Sequence, residues 1–186
     1  MEKLNVDWDA AKAFLKDHMP TSKKLDRDLG FEYELVYHQL LRQKGLSWEF
    51  CQIHGIGYPK GKTMLAGCIA FTVSDEEGKR IAYYGIRIKD GKPVFHKSFN
   101  PELYLHGMNN VDITREVYFT TYIWKCLEII SKDGHALCNF GLPYLSFTHV
   151  ELLEQCQTVL YVREDVNFKE IQKQATQMNN YFKFVA

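Results

Sequence analysis

Six cations fall between residues 79 and 97, namely Lys79, Arg80, Arg87, Lys89, Lys92 and Lys97, and Asp90 is the only acid in that span. Tyr83 and Tyr84 lie among them. Cations at this density can follow a phosphate backbone, and tyrosine rings stack on bases of any sequence, so the pattern has the chemistry of a single-stranded nucleic-acid surface. A solvated hairpin with inward aromatics accounts for the same residues, because charged strand edges also deter pairing between molecules. A second feature lies further on. Thr121 and Arg163 stand at the ends of two short β-rich runs, 117–121 and 158–162. Parallel α/β units gather their ligands at the carboxyl ends of such strands. Glu164 and Asp165 follow at once, either as hard-oxygen ligands for a divalent cation or as the acidic first turn of a helix. Cys51-Gln52-Ile53-His54 has the spacing of half a zinc site, but no second pair follows at finger or ribbon distance, so it reads as an ordinary helix end.

The elements that must carry these residues follow from periodicity. Trp8, Ala11, Leu15 and Met19 step by three and four, which predicts a helix stopped by Pro20, with Phe14 and Leu15 as its most buried pair. Residues 21–30 are charged and polar, a hinge before a second helix predicted over 31–43 with Gly45 at its C-cap. Ser47 is placed to cap a short helix over 48–53 that Gly55 and Gly57 close. Residues 68–73 and 80–88 form a hairpin about the 75–78 turn, and 93–99 add a third strand after Asp90-Gly91. Between the runs 117–121 and 158–162 come a helix over 122–131 ended by Gly134, a strand over 136–140 and a helix from Ser146 to Cys156. In that last helix His149 is a packing residue rather than a ligand. Asn167 with Glu170 opens a final helix, stapled by Val166 and Ile171. The tail Tyr181-Phe182-Lys183-Phe184 packs as an extra strand or meets a partner. The expectation is a mixed α/β protein in three segments: a helical N-terminal part over 1–44, a small antiparallel sheet within 45–112, and a parallel α/β unit over 113–186.

Twenty-three basic and 23 acidic residues give a formal charge of zero, so any polyanion site must be local. The five cysteines are scattered, odd in number and set mostly in apolar runs, as expected of reduced thiols in a cytoplasmic protein. Residues 1–7 are charged and lack the apolar run of a signal peptide, and no stretch approaches membrane-spanning length.

Several motifs in series resemble the catalytic core of DnaG-type bacterial and phage primases. They are Gln43-Lys44-Gly45-Leu46-Ser47, His54-Gly55-Ile56-Gly57-Tyr58 and Leu65-Ala66-Gly67-Cys68-Ile69-Ala70-Phe71, then residues 75–87 and Glu102-Leu103-Tyr104-Leu105-His106-Gly107. The resemblance spans roughly residues 35–165 and implies that 117–165 is a Toprim domain. That fold holds divalent metal with a Glu after its first strand and an Asp-x-Asp after its third, because Mg²⁺ requires hard oxygen ligands during phosphoryl displacement. Here Thr121 stands for the Glu, Tyr122 for the following Gly and Lys125 for the Asp of the first-strand signature. Arg163-Glu164-Asp165 stands for Asp-x-Asp, so only the final Asp remains. Asn139-Phe140-Gly141 resembles the family's glycine turn.

The resemblance therefore implies a degenerate Toprim-like unit, of the kind a mobile element could carry, that binds single-stranded DNA or a replication protein without catalysis. Its binding residues would be Arg87, Lys89, Lys92, Lys97 and Tyr83 on the hairpin, with Lys125 and Arg163 meeting phosphate at the strand ends. No catalytic residue, metal ligand or cofactor is expected. Mg²⁺ would enter only if Glu164 and Asp165, approached by Asp112 or Glu116, formed the relocated site of a metal-dependent nucleotidyl transferase or nuclease. The other alternative is a protein-interaction module that touches no nucleic acid, in keeping with the neutral charge and aromatic tail.

Overall fold

The computed structural model describes residues 2–18, 31–96, 99–162, 167, 169–171, 173 and 182–185. The chain divides into two units, one made of residues 1–24 with 101–186 and the other of residues 25–100. These are not the three consecutive segments read from the sequence, because the start of the chain joins the sheet of its last third.

In the first unit, β1 (Glu2–Val6) precedes α1 (Trp8–His18). Near the start of this unit's second segment, η1 (Pro101–Leu103) and η2 (Met108–Asn110) are single 3₁₀ turns. The elements β7 (Glu116–Thr120), α4 (Ile123–Ile130), β8 (His135–Cys138), α5 (Phe147–Glu154), β9 (Thr158–Tyr161) and β10 (Phe182–Val185) follow in chain order. The sheet runs β10-β1-β9-β7-β8. β7 pairs in parallel with β8, Thr120 opposite Cys138, and with β9, Phe119 opposite Tyr161. β1 lies antiparallel between β9 and β10. Of the two readings of the aromatic tail, an extra strand or a partner contact, β10 is the first, with Tyr181 outside the described residues. β1 was missed, since five residues with only Leu4 and Val6 apolar are too short a pattern to mark a strand without the paired neighbours on either side.

The core of this unit joins Val117 and Phe119 of β7, Leu137 of β8 and Val159 and Tyr161 of β9 with Val150 and Leu153 of α5 and Ala11 and Leu15 of α1. Near-continuous apolar strands of this kind mark a parallel sheet buried against helices. The α1 face centres on Ala11 and Leu15, with Phe14 only partly buried at its margin. Ile123, Cys126 and Leu127 are the buried residues of α4.

The second unit contains β2 (Leu35–Val36), α2 (Gln39–Gln43), α3 (Trp48–Ile53), β3 (Ile56–Pro59), β4 (Cys68–Ser74), β5 (Arg80–Arg87) and β6 (Pro93–Phe95). Its sheet follows chain order, β2-β3-β4-β5-β6, all antiparallel. The hairpin, the third strand and the Ser47 cap are as predicted, with Ser47 Oγ accepting the Phe50 N–H at 3.1 Å. The helix predicted over 31–43 is not. Leu35 and Val36 instead pair with Pro59 and Tyr58, and helix begins only after His38, whose Nδ1 accepts the Leu40 N–H. Gly57 explains the change. A Cβ there would stand 2.8 Å from Leu35 Cβ and 2.9 Å from the Val36 carbonyl oxygen, so its missing side chain lets β2 approach.

One face of this sheet gathers Leu65, Cys68, Ala70 and Tyr83, with Tyr33, Leu35 and Val94 against them. All five cysteines of the chain are buried and none forms a disulfide. No helix among the described residues is long and apolar enough to cross a membrane.

Candidate functional site

Among the described residues, two turns build the carboxyl edge of the parallel strands. β7 ends in Thr120 and Thr121, both fully buried. Thr120 Oγ1 accepts the Tyr122 N–H at 3.1 Å, and Tyr122 leads into α4 without a side-chain cap. Asn139 and Phe140 follow β8. The Asn139 amide nitrogen donates to the carbonyls of Leu142 at 3.0 Å and Tyr144 at 2.9 Å, clamping the turn. Phe140 has φ of 63° and Gly141 φ of 90°. Two successive left-handed residues reverse the chain here, and the glycine makes the second inexpensive.

Across this edge reaches Asn167. Its amide nitrogen donates to Thr121 Oγ1 at 2.9 Å, with the Gly141 carbonyl oxygen at 3.4 Å. One side chain therefore links the ends of β7 and β8. Asn139 Oδ1 is buried at the same edge and has no hydrogen-bond partner among the described residues. Sequence reasoning read Asn167 only as a helix cap and Asn139 only as part of a turn. For Asn139 the glycine turn that follows it was the local signal; the reach of Asn167 to Thr121 is tertiary.

Of the other residues assigned to this edge, Lys125 lies in the first turn of α4 and pairs with Glu128 at 3.1 Å. Lys132 takes the other Glu128 oxygen at 2.9 Å. Hydrogen bonds from Lys132 and then Lys125 hold the Glu128 carboxyl below its usual range. Lys125 thus has a carboxylate partner already, and its attraction for phosphate is reduced. Arg163, Glu164, Asp165 and Val166 lie outside the described residues.

Asp112 and Glu116 do not approach this edge. Glu116 begins β7 and Asp112 precedes it, so about 16 Å of strand separates Glu116 from Thr121. Asp112 is occupied locally: it accepts from Thr114 Oγ1 at 2.7 Å and pairs with Arg115 at 3.3 Å. Hydrogen bonds from Thr114 keep its carboxyl low, with a smaller contribution from Arg115. Among the described residues no group of three His, Cys, Asp or Glu side chains could hold a metal.

In the second unit the basic hairpin separates into distinct parts. Tyr83 is 1% exposed, its ring 4.7 Å from that of Tyr33, and Tyr84 is fully buried against Phe71 at 5.0 Å. Neither ring can stack on a base, which corrects the role assigned to Tyr83. Adjacent residues of a strand face opposite sides of the sheet, and here both sides are covered. Arg80 pairs with Glu32 at 2.7 Å, and its guanidinium lies 5.8 Å from the Tyr83 ring centre. Arg87 pairs with Asp90 at 3.0 Å. Lys89 and Lys92 are exposed, and Lys97 lies outside the described residues.

The remaining chemical candidates are structural. Burial pushes the Cys51 thiol up to about 11 and lowers His54, which ends α3 with its ring 4.2 Å from Phe50. His149 is wholly buried in α5: Nδ1 accepts the Ser146 N–H at 3.2 Å and Nε2 meets the Pro101 carbonyl at 2.9 Å. It closes a capping box with Ser146, as a packing residue should.

No protein-family model matches the sequence, and no curated protein matches it. Solved structures do. A DnaG primase catalytic domain bound to ssDNA is similar at a TM-score of 0.60 and 15% identity, covering 75% of this chain and 57% of that one. A DnaG catalytic core is similar at 0.60 and 15% identity, covering 92% of this chain and 65% of that one. The Escherichia coli primase catalytic core is similar at 0.62 and 13% identity, covering 75% and 59%. The chain thus spans less than two thirds of the length of these structures. With its mixed sheet around β7, β8 and β9 and its separate antiparallel sheet, this chain has the fold of a DnaG-type primase catalytic core.

Proposed function

We propose that this is a primase-fold protein that binds single-stranded nucleic acid without performing metal-dependent nucleotidyl transfer. The observation that carries the reading is Thr121. At the end of β7, where the resemblance implies a metal-binding Glu, stands a buried neutral hydroxyl whose oxygen accepts a hydrogen bond from Asn167. A neutral hydroxyl supplies neither the negative charge nor the second oxygen with which a carboxylate holds Mg²⁺. Lys125, four residues on, brings a cation where the resemblance implies a second carboxylate. The Toprim-like unit is, in this reading, a degenerate one.

Binding is supported by chemistry on the other unit. Lys89 and Lys92 project from the β5–β6 turn with Arg87 beside them, and one structural neighbour holds single-stranded DNA. Cations spaced along a hairpin turn contact successive phosphates and do not discriminate sequence. The test is a fluorescence-anisotropy titration of a labelled single-stranded oligonucleotide over a range of salt concentrations, run beside a primer-synthesis assay with Mg²⁺ or Mn²⁺. Binding that weakens linearly in log salt, without extension product, is the expected result. Primer formation overturns the inactive reading, and no binding at low salt overturns the nucleic-acid reading in favour of a protein partner.

A further inference from the structure

The second unit contains a cleft of about 350 Å³ that has no part in the site described above. Glu32, Tyr33, Tyr37, Trp48, Gln52 and Thr72 supply its aromatic and polar walls. Its volume lies at the small end of the range for ligand sites, enough for one planar heterocycle and too small for a helix or a folded peptide. Its walls come from β2, α3, β3, β4 and β5, and hydrogen bonds tie several of them together. The Tyr37 hydroxyl donates to the Leu46 carbonyl at 2.6 Å, Ser47 caps the helix that carries Trp48 and Gln52, and Thr72 Oγ1 donates to the Gly55 carbonyl at 2.9 Å.

What the walls leave unused defines the ligand. Trp48 is 50% exposed, and neither its ring nor its indole N–H has a partner among the described residues. The Gln52 amide and the Tyr33 hydroxyl also make no hydrogen bond among the described residues. Burial raises the Tyr33 hydroxyl above its ordinary value, so it stays protonated and able to donate. Among the described residues no cation lines the cleft, and its one carboxylate, Glu32, is already paired with Arg80 at 2.7 Å. A phosphate would find no counter-charge there, and a cationic ligand only a neutralised one. The features that remain are an open aromatic face beside an amide and a hydroxyl, which suit a neutral planar ring with donors and acceptors on its edge.

We infer that this cleft binds a single nucleobase, stacked on Trp48 and hydrogen-bonded along its edge by Gln52 and Tyr33. The base belongs either to a bound strand or to a free nucleoside. The strand version rests on the proposed function and deepens it: exposed lysines hold phosphates while one unstacked base is turned into the cleft. Base–aromatic stacking of this kind tolerates any base, whereas an amide that contacts the edge biases the choice.

The experiment compares three probes on the full chain: a single-stranded oligonucleotide, the same oligonucleotide with abasic sites, and adenosine. Each is measured with wild type, Trp48→Ala and Trp48→Phe, with far-UV circular dichroism confirming that the variants fold. The expected result is that Trp48→Ala weakens the intact strand by about tenfold, with Trp48→Phe restoring most of the loss, while the abasic strand binds weakly to all three proteins. Intact and abasic strands binding alike, with Trp48→Ala unchanged, overturn the base site and leave strand binding standing. Adenosine binding that depends on Trp48 without strand binding sustains the base site and overturns the strand reading. If nothing binds, both fail.

Discussion

The Asn167 amide donates a hydrogen bond to Thr121 Oγ1 at 2.9 Å, joining the end of β7 to a residue 46 positions later in the chain. Thr121 is 1% exposed and the bond is part-buried, so its loss removes a contact that water only partly replaces. Thr121→Val should destabilise the chain by about 1–2 kcal/mol. A double-mutant cycle with Asn167→Ala, read by chemical denaturation, should give a coupling of about 0.5 kcal/mol or more. A coupling of zero would mean that this hydrogen bond does not hold the edge together.

His149 makes stability depend on pH. Burial lowers its imidazole to about 4, partly opposed by its hydrogen bond to the Pro101 carbonyl. In the unfolded chain it titrates near 6.5, so between those values the unfolded state binds more protons. The contribution of neutral His149 is therefore complete above about pH 6.5 and is lost as pH falls towards 4, by at most about 1.4 kcal/mol per unit. Denaturation midpoints measured from pH 7 to pH 5 should fall, and His149→Gln should flatten the slope.

Lys89 and Lys92 are the exposed cations of the hairpin that the structure describes beside the Arg87–Asp90 pair. Charge reversal of both should weaken single-strand binding at every sequence tested. The log–log salt slope should decrease by about 0.7 for each phosphate that is no longer neutralised. An unchanged slope would place the phosphate path elsewhere.

Gly57→Ala should be far more costly than its size suggests. The added methyl group would meet Leu35 Cβ at 2.8 Å and the Val36 carbonyl oxygen at 2.9 Å. Backbone cannot move aside as a flexible side chain can, so a loss of about 1–3 kcal/mol is expected on thermal unfolding. Since Leu35 and Val36 also line the cleft, the same variant should lose Trp48-dependent base binding.

Ser146 holds the N-terminus of α5 from two directions. Its Oγ accepts the His149 N–H at 3.1 Å and donates to the Glu102 carbonyl. Ser146→Ala should cost about 1–2 kcal/mol, with Ser146→Thr recovering part of it. Equal stability of all three would show the cap to be dispensable.

Much of this architecture was legible before folding. The β-rich runs 68–73 and 80–88 about the 75–78 turn and the Ser47 and Ser146 caps identified their elements, because each signal lies within one turn of helix or one strand pair. The strand at 35–36 was not legible, since its extended state depends on β3 and on space left by Gly57. For Tyr83 and Tyr84 the sequence left two readings, base-stacking rings or inward aromatics, and the structure has the second, with Tyr33 packed on Tyr83 and Phe95 on Tyr84.

By itself, the sequence determined what can be charged and where. It placed Thr121 at the end of a parallel strand, Lys125 in the helix that follows, and Lys89 and Lys92 on one hairpin, since residue identity and local periodicity need no partner to be read. Tertiary structure alone decided which groups meet. It brought Asn167 to Thr121, set Asp112 and Glu116 at the far end of β7, and closed a cleft around Trp48 from segments that share no local pattern. The physical reason is range: propensity and periodicity act over a few residues, whereas a buried hydrogen bond or a cavity wall depends on chain segments that only folding brings together.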